Sequence, residues 1–184
     1  MLHTVAVIVG SLRKESFNRK IAKAIVAVSP PSLAFEFIEI GGLVMFNQDL
    51  EGTPPAEWVA FREQIKKVTG VLFVTPEYNR GLPGAMKNAL DVGSRPYGQS
   101  VWDGKPAAVV SASMGPSGGF GANHQLRQSL AYLNMPTLGQ PEAYFGGVSD
   151  WFDEKGAVKN PKTVEFLTKF AGVFAGWVEK HAKK

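Results

Sequence analysis

At 184 residues, 45% of them hydrophobic and 20% charged, the chain has the composition of one soluble globular domain, residues 1–184, with a substantial core. It contains no cysteine and only His3, His124 and His181, which excludes disulfides, thiolate chemistry and a histidine metal cluster, so redox chemistry requires a bound cofactor and no metal is expected. The net charge of +4 gathers partly at Lys180, Lys183 and Lys184 rather than in a stripe with stacking aromatics, which argues against nucleic acid; with no signal segment and no run near the ~20 apolar residues of a membrane span, a cytoplasmic location is expected.

The chain opens on a β-branched run, Thr4 to Val9, read as a buried strand ending at Gly10. Apolar residues at Ile21, Ala22, Ile25 and Val28 then predict a helix from Asn18 to Val28, stopped by Pro30-Pro31. Leu33 to Ile40 alternates apolar and acidic side chains, as an edge strand does. A loop over 41–55 leads to a helix from Pro55 to Val68 with Trp58, Phe61 and Ile65 inward. Gly70 to Thr75 is a continuous apolar strand, buried on both faces, ended by Pro76. A helix follows from Pro83 to Val92, then a strand from Pro106 to Ser111 and a helix from Ala122 to Leu133. A fifth strand is placed within Thr137–Phe145, and a long helix runs from Pro161 to His181. Strands alternating with helices predict a parallel sheet in a three-layer α/β sandwich, of order 2-1-3-4-5. In that order ligands bind beyond the strand ends, at the switch between strands one and three.

Three loops meet that crevice. After strand one come Ser11, Arg13, Ser16, Phe17 and Asn18 at the start of a helix. Unpaired helix N–H groups, two hydroxyls, an amide and a guanidinium suit a phosphate, although Ser16 or Asn18 also serves as an ordinary N-cap. The stretch lacks Gly-x-Gly-x-x-Gly and the Gly-Lys-Ser/Thr of a triphosphate loop. After strand three, Pro76-Glu77-Tyr78-Asn79 supplies a stacking ring, polar atoms and backbone amides, or else merely a helix-entry loop with Tyr78 in the core. After strand four, Gly115, Gly118, Gly119 and Gly121 make a backbone surface for a ligand, with the amides from Ser113 to Gly115 facing it.

With these loops assembled, the chain resembles the NADPH-dependent FMN reductases of the flavodoxin-like fold, in their bacterial quinone/chromate-reductase branch. The resemblance covers nearly the whole chain. It rests on Gly10-Ser11-Leu12-Arg13, Ser16-Phe17-Asn18, Pro76-Glu77-Tyr78-Asn79, Pro83-Gly84, Lys87-Asn88-Ala89-Leu90-Asp91 and Ser113-Met114-Gly115. It implies that Ser11, Arg13, Ser16 and Asn18, with Phe17 beside them, hold an FMN phosphate. Pro76, Glu77, Tyr78 and Asn79 are then expected to line the ribityl and isoalloxazine, with Ser113 and Gly115 at the flavin's other edge. NADPH or NADH is the implied hydride donor. Quinones are the implied acceptors, with chromate, azo and nitro compounds less specifically, in ping-pong turnover. No protein side chain is assigned a catalytic role, because the hydride moves at the flavin N5.

The resemblance further implies a homodimer or tetramer with Arg127, Tyr132 and Glu142 at the interface. Arg95 is expected near the flavin as an anion contact. The chain departs from the family pattern at Arg80, where a small residue is usual, and at Val92, where Trp is common; Arg80 is expected at the site mouth, affecting nicotinamide or acceptor preference. The 93–103 segment, with Tyr97 and Trp102, is expected to form a pocket wall or a subunit contact. A flavodoxin-like electron carrier working through a protein partner is the alternative function, and a flavin-free interaction protein the third; the basic balance and Arg13 argue against a carrier.

Overall fold

A computed structural model of the chain describes residues 1–182, so Lys183 and Lys184 of the basic C-terminal turn lie outside the described residues. The elements are β1 (His3–Val9), α1 (Phe17–Ala27), β2 (Leu33–Phe37), α2 (Ala56–Lys67), β3 (Gly70–Thr75), α3 (Gly84–Ser94), β4 (Ala107–Ala112), α4 (Phe120–Tyr132), β5 (Ala143–Phe145) and α5 (Pro161–His181). The five strands form one parallel sheet of order β2-β1-β3-β4-β5. This is the flavodoxin-like three-layer sandwich expected from the alternation.

Alternate side chains of each central strand enter opposite cores. Val5, Val7 and Val9 of β1, with Leu72 and Val74 of β3, pack under α1 and α5 against Ile21, Ile25, Phe170 and Phe174. Ala6 and Ile8 of β1, with Val71 and Phe73 of β3, pack under α2, α3 and α4 against Trp58, Phe61, Ile65 and Leu126. Trp102, expected in a pocket wall or subunit contact, is instead fully buried, with rings of Phe61 and Phe73 5.9 Å away and its indole N–H donating to Leu90 O. Its bulk and its satisfied donor make it a core residue.

Several boundaries shift by one to three residues, as where β2 ends at Phe37 and α4 starts at Phe120, and local reasons are plain at two places. The first helix starts at Phe17 because Ser16, not Asn18, is its N-cap: Ser16 Oγ accepts from the Arg19 N–H at 3.2 Å. The fifth strand, placed within Thr137–Phe145, occupies only Ala143–Phe145: Thr137 bridges β4 alone before Gly139-Gln140-Pro141 interrupts the pairing, which resumes at Ala143.

Candidate functional site

The loops following β1, β3 and β4 meet at the carboxyl edge of the sheet, where the strand order reverses, around a cleft of about 140 Å³. Ser11, Arg13, Ser16, Phe17 and Asn18 line it from the first loop, Pro76, Glu77 and Tyr78 from the second, and Ala112, Ser113 and Met114 from the third. Val148 completes the lining. It belongs to a short turn after β5 that the sequence reading missed; the Gly146-Gly147 pair before it was the available signal.

The first loop presents unpaired donors and positive charge to the cleft. Neither the Phe17 nor the Asn18 N–H has an intrahelical acceptor, since Arg19 N–H goes to Ser16 Oγ and Lys20 N–H to Ser16 O. Arg19 pairs with Glu39 at 2.6 Å and Lys20 with Glu15 at 3.3 Å, whereas Arg13 is exposed and forms no ion pair among the described residues. A free guanidinium thus stands beside the positive end of α1. Asn18 is buried; its Nδ2 donates to Ala112 O at 3.2 Å, which ties the first loop to β4 and leaves Oδ1 buried with no donor.

The second loop is a small hairpin. Tyr78 and Gly81 exchange backbone hydrogen bonds of 3.0 and 2.9 Å, and the intervening Asn79 and Arg80 both have positive φ, 51° and 65°. That is the φ signature of a type I′ turn, comfortable for Asn and strained for Arg. Tyr78 is half exposed at the cleft. Asn79 sits on the turn outside the lining, and the Arg80 side chain is 82% exposed. The Glu77 side chain, part of the lining, also has a partner within the chain. It is only 8% exposed, and its Oε2 accepts the Ala122 N–H at 3.0 Å.

The third loop requires a correction. The Ser113 N–H is not free for a ligand: it donates to Phe145 O of β5 at 2.9 Å, while Ser113 Oγ donates to Gly115 O at 3.0 Å. Gly115 is not among the lining residues, and of the amides from Ser113 to Gly115 those of Met114 and Gly115 have no acceptor among the described residues.

Arg95, expected near the flavin, and the three residues expected at a subunit interface all lie outside the cleft lining. Arg95 follows the last turn of α3, its Nε on Glu51 at 2.7 Å, in a separate cavity with Pro54 and Arg62. Arg127 points inward, donating to Asn123 Oδ1 and Leu138 O, both at 2.8 Å, so its bonds are internal rather than to Tyr132 or Glu142. Tyr132 is 89% exposed at the end of α4. Glu142 is exposed beside Tyr144, whose phenol is pushed up to about 12 by burial first and by the Glu142 carboxylate second, with Arg127 pulling the other way. A larger cavity, about 370 Å³, opens at the amino ends of β3 and β4. It is not the candidate site: its Lys66 is paired with Glu63 and its Lys105 ammonium caps Val68 O.

Among the described residues no group of acidic or histidine side chains is arranged to hold a metal ion, and no helix is long and apolar enough to cross a membrane.

Comparison with known proteins finds relatives along nearly the whole chain. A sequence profile of the NADPH-dependent FMN reductases matches residues 3–150. A quinone reductase of Pseudomonas putida is 56% identical over 179 residues, 97% of this chain and 96% of that protein. A 2-hydroxy-1,4-benzoquinone reductase of a Burkholderia species is 43% identical, the alignment covering 95% of each chain. Among solved structures, a flavoenzyme NAD(P)H:(acceptor) oxidoreductase from Paracoccus denitrificans superposes with a TM-score of 0.94 at 40% identity, covering 99% of this chain and 100% of the other.

Proposed function

The chain belongs to the NADPH-dependent FMN reductase family, and from that premise we propose that it is an FMN-dependent NAD(P)H:quinone oxidoreductase working in the cleft between the β1, β3 and β4 loops. The observation that carries the site assignment is the pairing of the free α1 N–H groups with the unpaired Arg13 guanidinium, at the one end of the sheet where ligands of this topology bind.

The donor set fits FMN. Phe17 N–H, Asn18 N–H, Ser11 and Arg13 would hold the dianionic phosphate, the guanidinium supplying charge and directed N–H bonds together. The buried Asn18 Oδ1 needs a donor, which a phosphate lacks and a ribityl hydroxyl supplies. Ser16 contributes as the cap that leaves those N–H groups pointing outward. Pro76, Glu77, Tyr78 and Asn79 would form one wall and Ser113 to Gly115 the other, with the Met114 and Gly115 N–H groups facing the ring edge where negative charge develops. Held there, FMN would supply the hydride-transfer chemistry between NAD(P)H and a quinone, in alternating half-reactions. The protein binds, orients and stabilises charge; no side chain in the cleft is placed as a general acid or base.

Chromate, azo and nitro compounds are weaker acceptors in this reading, the whole chain is one FMN-binding domain, and the working form is a homodimer or tetramer. Exposed Phe120 and Tyr132 on α4 support association between copies. Initial rates with NADPH and a benzoquinone test the alternation. Parallel double-reciprocal lines are expected, and intersecting lines would require both substrates on the protein at once.

A further inference from the structure

We propose that Glu77 is a positioning residue, whose carboxylate fastens the β3 loop to the first turn of α4 so that the two walls of the cleft form one rigid body. Three observations on different residues converge on this.

The first is the carboxylate itself. α4 starts at Phe120 with Gly119 as its N-cap, and Gly119 has no side chain to cap the helix. Its free N–H groups need an acceptor from elsewhere. Glu77, 45 residues away in sequence, supplies one: Oε2 accepts Ala122 N–H at 3.0 Å. A carboxylate at this end also meets the positive end of the helix dipole. The Arg80 guanidinium, 3.4 Å from Oε1, covers its solvent side.

The second is Gly121. Alanine favours a helix over glycine by about 1 kcal/mol, so glycine inside the first turn calls for a reason. A Cβ at 121 would lie 2.9 Å from Glu77 Oε2 and 2.9 Å from Arg80 O. The loop is seated so closely on α4 that no side chain fits between them.

The third is a second fastening one turn along the helix. Gln125 Oε1 accepts the Leu82 N–H at 2.6 Å. The loop is thus held at both ends of its hairpin, at Glu77 and at Leu82. A positive φ at Arg80 is a strained conformation that persists only where its surroundings over-determine it. These two fastenings do so, and they keep Tyr78 at the cleft.

The fastening is independent of any cofactor; its consequence for FMN rests on the function proposed above. The test compares wild type with Glu77→Gln, Glu77→Ala and Gly121→Ala. The first readout is amide hydrogen exchange in the cofactor-free protein. Glu77→Ala removes the acceptor and is expected to speed exchange at Ala122 and across Tyr78–Leu82 by roughly tenfold, the size of a lost helix cap. Glu77→Gln retains an acceptor oxygen and is expected to restore most of the protection. Gly121→Ala keeps Glu77 but wedges the loop away, and is expected to resemble Glu77→Ala.

The second readout is the FMN dissociation constant, expected to rise roughly tenfold in Gly121→Ala, which leaves the Glu77 side chain in place, and in Glu77→Ala, and to rise less in Glu77→Gln. Unchanged exchange in Glu77→Ala, or Glu77→Gln behaving like Glu77→Ala, overturns the proposal. Failure of the wild type to bind FMN would overturn the functional reading instead, while the exchange data would still judge the fastening.

Discussion

The loops after β3 and after β4 face each other across one cleft, yet they are held in opposite ways. The β3 loop is held by side chains that reach out: Glu77 to Ala122 N–H, and Gln125 back to Leu82 N–H. The β4 loop is held by side chains that are missing. A Cβ on Gly118 would lie 2.7 Å from the Tyr144 carbonyl carbon, and one on Gly146 2.6 Å from Pro116 O, so backbone packs directly on backbone. The difference teaches which change each wall tolerates. Deleting side-chain atoms at Glu77 or Gln125 loosens the first wall, which has a close glycine seat only at Gly121. The second wall is disrupted chiefly by adding atoms.

Gly118→Ala should produce the largest effect. It adds a methyl against backbone at a position with φ of 61°, so overpacking and strain combine to about 3–4 kcal/mol of lost stability, read from urea unfolding. A loss below about 1 kcal/mol would mean that the β4 loop has slack and the contrast fails. Next comes Arg13→Ala, in the loop that both walls flank. Removing its charge-assisted bonds to the phosphate should weaken FMN binding by about 1.5–3 kcal/mol with little change in unfolding. Unchanged FMN affinity would remove Arg13 from the phosphate site. Gln125→Ala deletes only the exposed fastening of the β3 loop and should cost about 1 kcal/mol of stability.

The smallest effect concerns pH. Tyr144, beside the β4 loop, has its phenol raised from 10.0 to about 12 by burial and then by Glu142. The folded state therefore keeps this proton longer than the unfolded chain does. The resulting stability is fully present below pH 10 and is lost as pH rises through about 12. Tyr144→Phe should flatten the fall in unfolding free energy over that window; an unchanged slope would assign the fall to other groups.

Sheet order and layers were legible because β1 and β3 are unbroken apolar runs and each helix repeats at helical spacing, patterns that survive packing. The first loop was legible for a similar reason: its donors are consecutive in sequence, from Ser11 to Asn18. What escaped was every assignment that depended on a partner distant in sequence. That Glu77 also accepts the Ala122 N–H at 3.0 Å has no sequence signal, and the Ser113 amide reads as free although it donates to Phe145 O. Arg95 reads as an anion contact near the flavin and Arg127 as an interface residue because Glu51, Asn123 and Leu138 carry no sequence signal of pairing with them. Val148 escaped because its turn adds only one apolar side chain to the cleft.

The central claim is most directly tested by the anaerobic visible spectrum of the purified, FMN-reconstituted protein, recorded before and after NADPH and again after a benzoquinone. The account predicts flavin bands that stay with the protein, bleach with NADPH and return with the quinone. Bands that remain unbleached would contradict the reductase reading, and flavin lost on gel filtration would contradict the cofactor site itself.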